Sequence, residues 1–329
     1  VILVYGDVMI DFYIHGKIRE SQESPAPIFM PFASMVMPGG AANVAMNVAA
    51  LGQDATLIAA IGKDDSGASL NKTLAMTERI TPCLVSCEGR VTTVKQRMLV
   101  NGGQVFRMDI ERTEALSEAA EMLILAEIAK ADEPDAVVVS DYAKGGVTPA
   151  VAKAVIEEAR KRSIPSVVDT KTPMAPCWKR ATLIKPNLKE IGEALHHSPP
   201  SNEFEAAAAA MALREATEID HVLLTCGANG MMLADGNGAL SIPPLEIDAV
   251  DVVGAGDTVA AAMAVLLGSG QSVMEAALFA NAAGAVAVSR AGTAAVTLDE
   301  VKAIADRHAG NAGKKGRAVE REESLHRLH

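Results

Sequence analysis

The sequence predicts a three-layer α/β domain: a mostly parallel central sheet covered by helices on both faces, with a small β-sheet projecting from it. Three observations carry this reading. Apolar, β-branched runs alternate with helical patterns through most of the chain, which is the pattern of a buried parallel sheet. The 329 residues are 49% hydrophobic but only 3% aromatic, enough for one large α/β core or two smaller ones built on small-residue helices. Two strand-rich stretches, 12–37 and 91–111, interrupt the alternation early.

Taken in order, strands are predicted at "ILVYGD" (2–7), "TLIAAIG" (56–62), "AVVVSDY" (136–142), "SVVDT" (166–170), "ATLIKPN" (181–187) and "HVLLTCG" (221–227). Helices are predicted between them near 41–51, 65–79, 114–131, 148–162, 188–197 and 202–217. "GMMLAD" and "ALSIPP" read as an antiparallel hairpin at one edge. Helices near 255–268, 273–289 and 298–308 close a domain spanning 1–308. The segment 12–37 reads as strands joined by a polar turn, and 91–111 as a hairpin around Asn101-Gly102-Gly103. Together they form a lid over the carboxyl ends of the parallel strands, where open α/β sheets bind ligands. The Gly-, Lys-, Arg- and Glu-rich residues 309–329 read as a flexible tail.

A formal net charge of −11 argues against a general nucleic-acid or anionic-membrane surface and leaves room only for a local basic pocket. Cys83, Cys87, Cys177 and Cys226 lack CxxC spacing and a companion His cluster, so they read as small buried thiols in a reducing compartment. No signal peptide precedes the first strand, and no run of about 18 apolar residues spans a bilayer. The expected location is the cytoplasm. Val1 in place of Met points to a trimmed start.

The stretch "DVVGAGDTVAAAMAVLLGSG" (251–270) is the most informative. Two glycines and an acid open a long apolar helix. The first amides of a helix have no internal partner and carry partial positive charge, and glycines let an anion approach them. Gly254, Ala255 and Gly256 therefore form a candidate anion hole. Asp257 beside it repels an anion unless it has other work, and taking a proton from a hydroxyl that attacks a phosphate is such work. An ordinary capped helix start is the plain alternative. Val259 stands where a dinucleotide fingerprint needs Gly or Ala, and the chain lacks a P-loop motif. A nicotinamide dehydrogenase and a P-loop NTPase are thus disfavoured.

"DVVGAGDTV" resembles the C-terminal signature of the ribokinase/PfkB carbohydrate kinases, and "PGGAANVAMNVAALG" (38–52) their N-terminal signature. "GDVMIDFY" (6–13), "KPNLKE" (185–190) and "TCGANG" (225–230) fall where that family has its other motifs, so the resemblance spans about residues 2–308. It implies a ribokinase-like fold and an ATP-dependent sugar kinase using Mg²⁺. "GDVMIDFYIHG", "PGGAANVAMNVAALG" and "SDYAKGG" look most like the branch that phosphorylates a heptose 7-phosphate for lipopolysaccharide core synthesis. Many of its members carry a fused adenylyltransferase. This chain has no nucleotidyltransferase HxGH and ends early, so it resembles the stand-alone form. Ribokinase-, fructokinase- and phosphofructokinase-like activities are the alternatives within the family. A silent sugar- or nucleotide-binding regulator is the alternative outside it.

The resemblance assigns roles. Asp257 deprotonates the anomeric hydroxyl, and the amides of Gly254, Ala255 and Gly256 stabilise the transferred phosphoryl group. Asp7 and Asp11 bracket the end of the first strand and hold sugar hydroxyls. Asp11 is the better match. Gly39 and Gly40 admit the sugar and Asn43 hydrogen-bonds it. A 7-phosphate calls for cations, with Arg107, Lys144 and, less directly, Lys171 as candidates. Asp109 and Asp141 are further hydroxyl partners. Asn187 and Glu190 sit near the ATP phosphates and the water shell of Mg²⁺, although Glu190 equally suits a plain helix start. Lys185, Thr225 and Gly227 approach phosphates, Gly230 permits a turn, and Asn281 flanks the adenine or is simply satisfied within its helix. Asp251 with the carbonyls of Val253, Ala287, Arg290 and Gly292 corresponds to a K⁺ site of relatives, but Val296 stands where some relatives have Ser. A homodimer through the projecting sheet is expected, suited by Phe29, Phe32, Met35 and Met37, and a lid covering substrate would show the same pattern.

Overall fold

The computed structural model describes residues 1–307 except 24 and 132. The predicted tail at 309–329 lies outside the described residues. Strand β1 (Ile2–Gly6) lies centrally because its side chains alternate between two buried faces. Ile2 and Val4 enter one core, Leu3 and Tyr5 the other, as the two-residue period of a strand dictates.

In chain order there follow β2 (Val8–Arg19), β3 (Ile28–Gly40), α1 (Ala41–Ala50), β4 (Ala55–Gly62), α2 (Asp65–Ala75), β5 (Ile80–Cys87), β6 (Thr93–Val100) and β7 (Gly103–Ile110). Next come α3 (Glu118–Lys130), β8 (Ala136–Asp141), α4 (Pro149–Lys161), β9 (Ser166–Thr170), β10 (Leu183–Ile184), α5 (Leu188–Ala194) and α6 (Glu203–Thr217). The last labelled elements are β11 (His221–Thr225), β12 (Met231–Asp235), β13 (Gly238–Ile242), α7 (Ala255–Gly268) and α8 (Val273–Val288). Residues 298–307 are helical.

The main sheet has nine strands in the order β13-β12-β11-β10-β9-β8-β1-β4-β5. All neighbours are parallel except at the β11–β12–β13 edge, where the predicted antiparallel hairpin is found. From β1 the chain runs outward through β4 and β5 and returns to β8 on the other side. The switch in direction between β1 and β8 opens a crevice at their carboxyl ends. Residues of α1, α2, α7 and α8 pack on one face, and residues of α3, α4 and α6 on the other.

The second sheet has four strands in the order β3-β2-β6-β7. Its β6–β7 turn is a two-residue Asn101-Gly102 loop with both φ positive, at 51° and 81°, the geometry that Asn-Gly favours. Much of β3 and all of β7 are exposed, on both faces.

Three sequence readings are corrected. β5 was missed: Pro82 within "ITPCLVSC" disguises it, and the strand tolerates that proline because it is the sheet edge. The helix expected from 114 starts at Glu118, capped by Ser117. The strand expected over 181–187 is regular only at Leu183–Ile184, and beyond Pro186, which has no amide to donate, pairing is reduced to a single bridge between Asn187 and Thr225. All four cysteines are free. Among the described residues no helix is long and apolar enough to cross a membrane.

Asn47 ties the helical layer beneath the crevice. It is fully buried on α1. Its Nδ2 donates to the Asn43 carbonyl (2.9 Å) and Asn43 Oδ1 (3.1 Å), and its Oδ1 accepts from Thr258 Oγ1 and the Val296 amide (both 3.1 Å). Asn47→Ala leaves the Val296 amide and Asn43 Oδ1 buried without these partners, and is expected to cost about 2–4 kcal/mol of stability. Urea unfolding of the purified variant checks this; a loss below about 0.5 kcal/mol would show that the knot is dispensable.

Candidate active site

Helix α7 begins with Gly254 in the left-handed conformation (φ 80°). A Cβ there would lie 2.8 Å from Asn43 Nδ2, so both the turn and the packing require glycine. The helix is buried over nearly its whole length and carries Asp257 in its first turn. Asp257 is 2% exposed. Its Oδ2 accepts from Asn43 Nδ2 (2.8 Å) and its Oδ1 from the Tyr142 hydroxyl (2.7 Å). Burial, and then the negative charge of Asp169, push its carboxyl up to about 7, against the two hydrogen bonds and the Lys185 ammonium. A carboxylate poised there is suited to take a proton near neutral pH.

The amides opening α7 are flanked by a cation. Lys185 Nζ lies 3.2 Å from where a Cβ on Gly256 would sit, with Asp169 Oδ2 at 3.7 Å. Lys185 is buried and pairs with Asp169 Oδ1 at 3.1 Å. Glycine at 256 thus keeps open a space bounded by helix amides and an ammonium, which is suited to a phosphoryl group.

On the lid side, Asp11 of β2 is buried and pairs with Arg97 of β6. A Cβ on Gly39 would fall 2.2 Å from Asp11 Oδ2, so glycine there makes room for the carboxylate rather than admitting a ligand directly. A Cβ on Gly40 would fall 2.4 Å from the Asp7 carbonyl.

Several predicted hydroxyl partners are already engaged within the chain. Asp7 accepts from the amides of Tyr142 (3.0 Å), Lys144 (2.9 Å) and Gly146 (2.8 Å) and so organises the loop after β8. Asp141 accepts from the Ala143 amide and Thr170 Oγ1. Asn43, expected on the sugar, donates to Asp257. Asp109 is held by Arg107 through both nitrogens of a forked pair.

The predicted phosphate cations are paired as well. Arg107 is taken by Asp109, Lys144 by Glu111 (2.8 Å) and Lys171 by Glu190. Sequence reasoning missed the cation that stands apart. Lys95 of β6 forms no ion pair among the described residues and lies 5.3 Å from the Tyr142 ring centroid. Desolvation first, and then Arg107, Lys144 and Arg97, hold its ammonium below the ordinary lysine value, against the attraction of Asp11. Arg97 and Asp169 were missed for the same reason: each matters through a partner distant in sequence.

On the opposite side, Asn187 and Glu190 form a capping box. Asn187 Oδ1 accepts from the Glu190 amide, Glu190 Oε2 accepts from the Asn187 amide (both 2.9 Å), and Glu190 Oε1 takes Lys171. The helix-start role of Glu190 is thus present. Each of these oxygens keeps a further lone pair, so Asn187 and Glu190 are the residues that would meet the water shell of a nucleotide-bound Mg²⁺. Thr225 donates through Oγ1 to the Pro186 carbonyl (3.3 Å). Gly227 (φ 60°) has open space where a Cβ would point, whereas at Gly230 (φ 82°) a Cβ would meet the Ile242 carbonyl at 2.2 Å. Only Gly227 is thus free for close approach, and Gly230 serves the turn. Asn281 donates to the Pro243 carbonyl (2.9 Å) just after β13, so it is satisfied by a distant loop and not within its own helix.

The residues expected around K⁺ do converge, but on one another. Asp251 accepts from the amides of Val253 and Gly292 (both 3.0 Å), and the Ala287 carbonyl accepts from the Arg290 amide (3.2 Å). Hydrogen bonds stitch these loops together, and the Asp251 carboxylate is satisfied by amides.

Residues 1–300 match the pfkB family of carbohydrate kinases. The chain is 40% identical over 315 residues to the bifunctional protein HldE of Caulobacter vibrioides, covering 95% of this chain and 65% of that protein. It is 39% identical over 330 residues to the bifunctional protein HldE of Azorhizobium caulinodans, covering 98% and 68%. The chain thus spans about two thirds of the length of the curated relatives it matches. Among solved structures it resembles phosphofructokinase-2 from Escherichia coli in complex with potassium (TM-score 0.77, 23% identity, 92% of this chain and 97% of that one). It also resembles Arabidopsis thaliana ribokinase complexed with ribose and ATP (TM-score 0.71, 19% identity, 92% and 97%). The fold is ribokinase-like, and the chain, matched over most of its length, belongs to the pfkB family of carbohydrate kinases and is an ATP-dependent sugar kinase.

Proposed function

We propose that the chain phosphorylates the anomeric hydroxyl of D-glycero-β-D-manno-heptose 7-phosphate, giving the 1,7-bisphosphate for ADP-heptose and lipopolysaccharide core synthesis. The observation that carries the reading is the placement of Asp257, poised near 7 between the Lys185-flanked amides of α7 and the cation-rich lid. The anomeric oxygen loses its proton to Asp257 and attacks the γ-phosphorus of ATP. The bond from that phosphorus to the β-phosphate bridging oxygen breaks and ADP leaves. The amides of Gly254, Ala255 and Gly256 and the Lys185 ammonium meet the charge of the transferred group. Mg²⁺ would accompany the nucleotide phosphates, and no step is assigned to it. The relatives named HldE support a heptose phosphate as acceptor. Lys95, with Arg97, Arg107 and Lys144 around it, supports a phosphorylated sugar over a plain one. Assay of ATP turnover against heptose 7-phosphate, ribose, fructose and fructose 6-phosphate tests the choice; preference for an unphosphorylated sugar would favour a ribokinase- or fructokinase-like enzyme.

The lid exposes Phe32, Val36, Val105 and Phe106, at 68%, 56%, 49% and 57%. We assign this apolar surface to a second copy of the chain. Phe32→Glu with Phe106→Glu is expected to convert a dimer to a monomer in light scattering, and a wild-type monomer at micromolar concentration would remove the assignment.

Asp257→Asn keeps the shape of the side chain and removes the proton acceptor. Turnover is expected to fall by about 10²–10⁴-fold with ATP affinity little changed, and near-normal turnover would exclude Asp257 as base. In the wild type, kcat/KM should rise with pH through about 7 as Asp257 ionises; an acid limb at about 4, the ordinary carboxylate range, would contradict the buried-base reading.

Lys95→Met is expected to raise KM for the sugar phosphate by about 10- to 100-fold, the loss of one charge-assisted contact, with KM for ATP unchanged. An equal effect on an unphosphorylated acceptor would show that Lys95 does not read the phosphate.

A further inference from the structure

Tyr142 follows β8 in the stretch "SDYAKGG", and nothing so far gives it a role. Its backbone amide donates to Asp7, which fixes the loop. Its side chain crosses the crevice to Asp257, 115 residues further along the chain, and its hydroxyl donates to Oδ1 at 2.7 Å. Lys95 from the lid and Lys171 from the loop after β9 lie 5.3 and 5.1 Å from its ring centroid. A partly buried phenol with two ammonium groups over its ring and its hydroxyl bonded to the Asp257 carboxylate is a built arrangement.

We propose that Tyr142 is a positioning residue that keeps Asp257 ionised and aimed, its hydroxyl holding Oδ1 while Asn43 holds Oδ2. The inference deepens the proposed phosphoryl transfer and rests on Asp257 as its base.

The argument is electrostatic. A fully buried carboxylate resists ionisation. The charged and polar groups facing Asp257 are Asn43 of α1, Tyr142 after β8, Asp169 of β9 and Lys185 after β10, with Lys171 acting at longer range. Asp169 opposes the charge and Lys185 favours it. Asn43 and Tyr142 are the direct donors, and only Tyr142 offers a hydroxyl. Burial, together with Asp257 and Asp169, pushes the Tyr142 phenol well above its ordinary value. It therefore stays protonated and remains a donor throughout the working range. Without it, Oδ1 loses the donor that stabilises negative charge, and Asp257 stays protonated to higher pH. A protonated carboxyl cannot accept the sugar proton.

Tyr142→Phe removes the hydroxyl and keeps the ring between the two lysines. Two readouts are taken on the whole protein. The first is the titration of the Asp257 carboxyl carbon by ¹³C NMR without ligand, assigned with Asp257→Asn. The second is the acid limb of kcat/KM with heptose 7-phosphate. A hydrogen bond to a charged group corresponds to about one to two pH units. In Tyr142→Phe the Asp257 titration and the acid limb should both move up by that amount. Turnover at pH 7 should fall by about 5- to 50-fold and recover by about pH 9. An unmoved titration, or a loss of turnover equal at every pH, would overturn the proposal and leave Tyr142 a packing residue. Should the variant fail to fold, 3,5-difluorotyrosine placed at 142 makes a stronger donor and should move the titration down; no movement overturns the proposal equally. The carboxyl titration needs no sugar, so it decides the role of Tyr142 separately from the identity of the acceptor.

Discussion

The hydrogen bonds from Asn43 and Tyr142 to Asp257 join α1, the loop after β8 and the first turn of α7 on one carboxylate. Neighbouring features are conditioned by it. Gly254 must be glycine because Asn43 stands where a side chain would go. Asp7 holds the loop that presents Tyr142. Asn47 holds Asn43 in turn. The arrangement has a cost in stability. Asp257 has a folded-state value raised to about 7 and an unfolded one of about 4. Between these values the folded chain keeps a proton that the unfolded chain has lost. The contribution of this group to stability therefore falls as pH rises through that window and levels off above it. The same burial that weakens the fold holds the Asp257 carboxyl in the range a general base near neutral pH requires.

Charge around the crevice is otherwise closely compensated. Arg97 meets Asp11, Arg107 meets Asp109, Lys144 meets Glu111, Lys171 meets Glu190 and Lys185 meets Asp169. Of these, Arg97–Asp11 and Lys185–Asp169 are buried; buried ion pairs contribute little net stability against a packed apolar core, and exposed ones little more, so their effect here is to fix geometry. Against that background an unpaired, partly desolvated ammonium at Lys95 is the exception. It has no ion-pair partner among the described residues, only the longer-range attraction of Asp11 and the face of Tyr142. Compensation also explains why counting cations in the sequence pointed to Arg107 and Lys144. Both are close to the lid, but their charges are already matched locally.

The fold was readable because its signals are local. A continuous apolar run makes a buried parallel strand, Asn-Gly makes a tight hairpin, and Thr148 opens a helix. The exceptions follow from the same rule. Pro82 reads as a break in isolation, yet at a sheet edge it costs no ladder bond. Pro186 reads as part of a strand and in fact ends one. Neither outcome is set by neighbours in sequence, because each depends on which strand lies alongside.

The site was readable only where backbone conformation carries the chemistry. Two glycines and an acid at the head of an apolar helix pointed to the stretch where a buried carboxylate stands beside open helix amides and the Lys185 ammonium. Side-chain roles were harder to read, because the same residue types serve structure and chemistry. Asn-x-x-Glu is both the sequence of a capping box and that of a phosphate-side pair, and here the capping bonds are the ones observed. Asp before a turn is a sugar ligand in one place and an amide acceptor in another; Asp7 and Asp141 are acceptors, while Asp11 stays with Arg97 under the lid. What separates the two roles is partnership over long range. Asn43 and Asp257 lie 214 residues apart and Tyr142 and Asp257 lie 115 apart, and no local pattern encodes either contact. Tyr142 stood in a quoted motif, yet it could be assigned no role until the switch between β1 and β8 brought its loop against the head of α7. The proposed base is thus written in one short stretch of the chain, and the groups that bear on its charge are contributed by strands and loops that only the sheet order assembles.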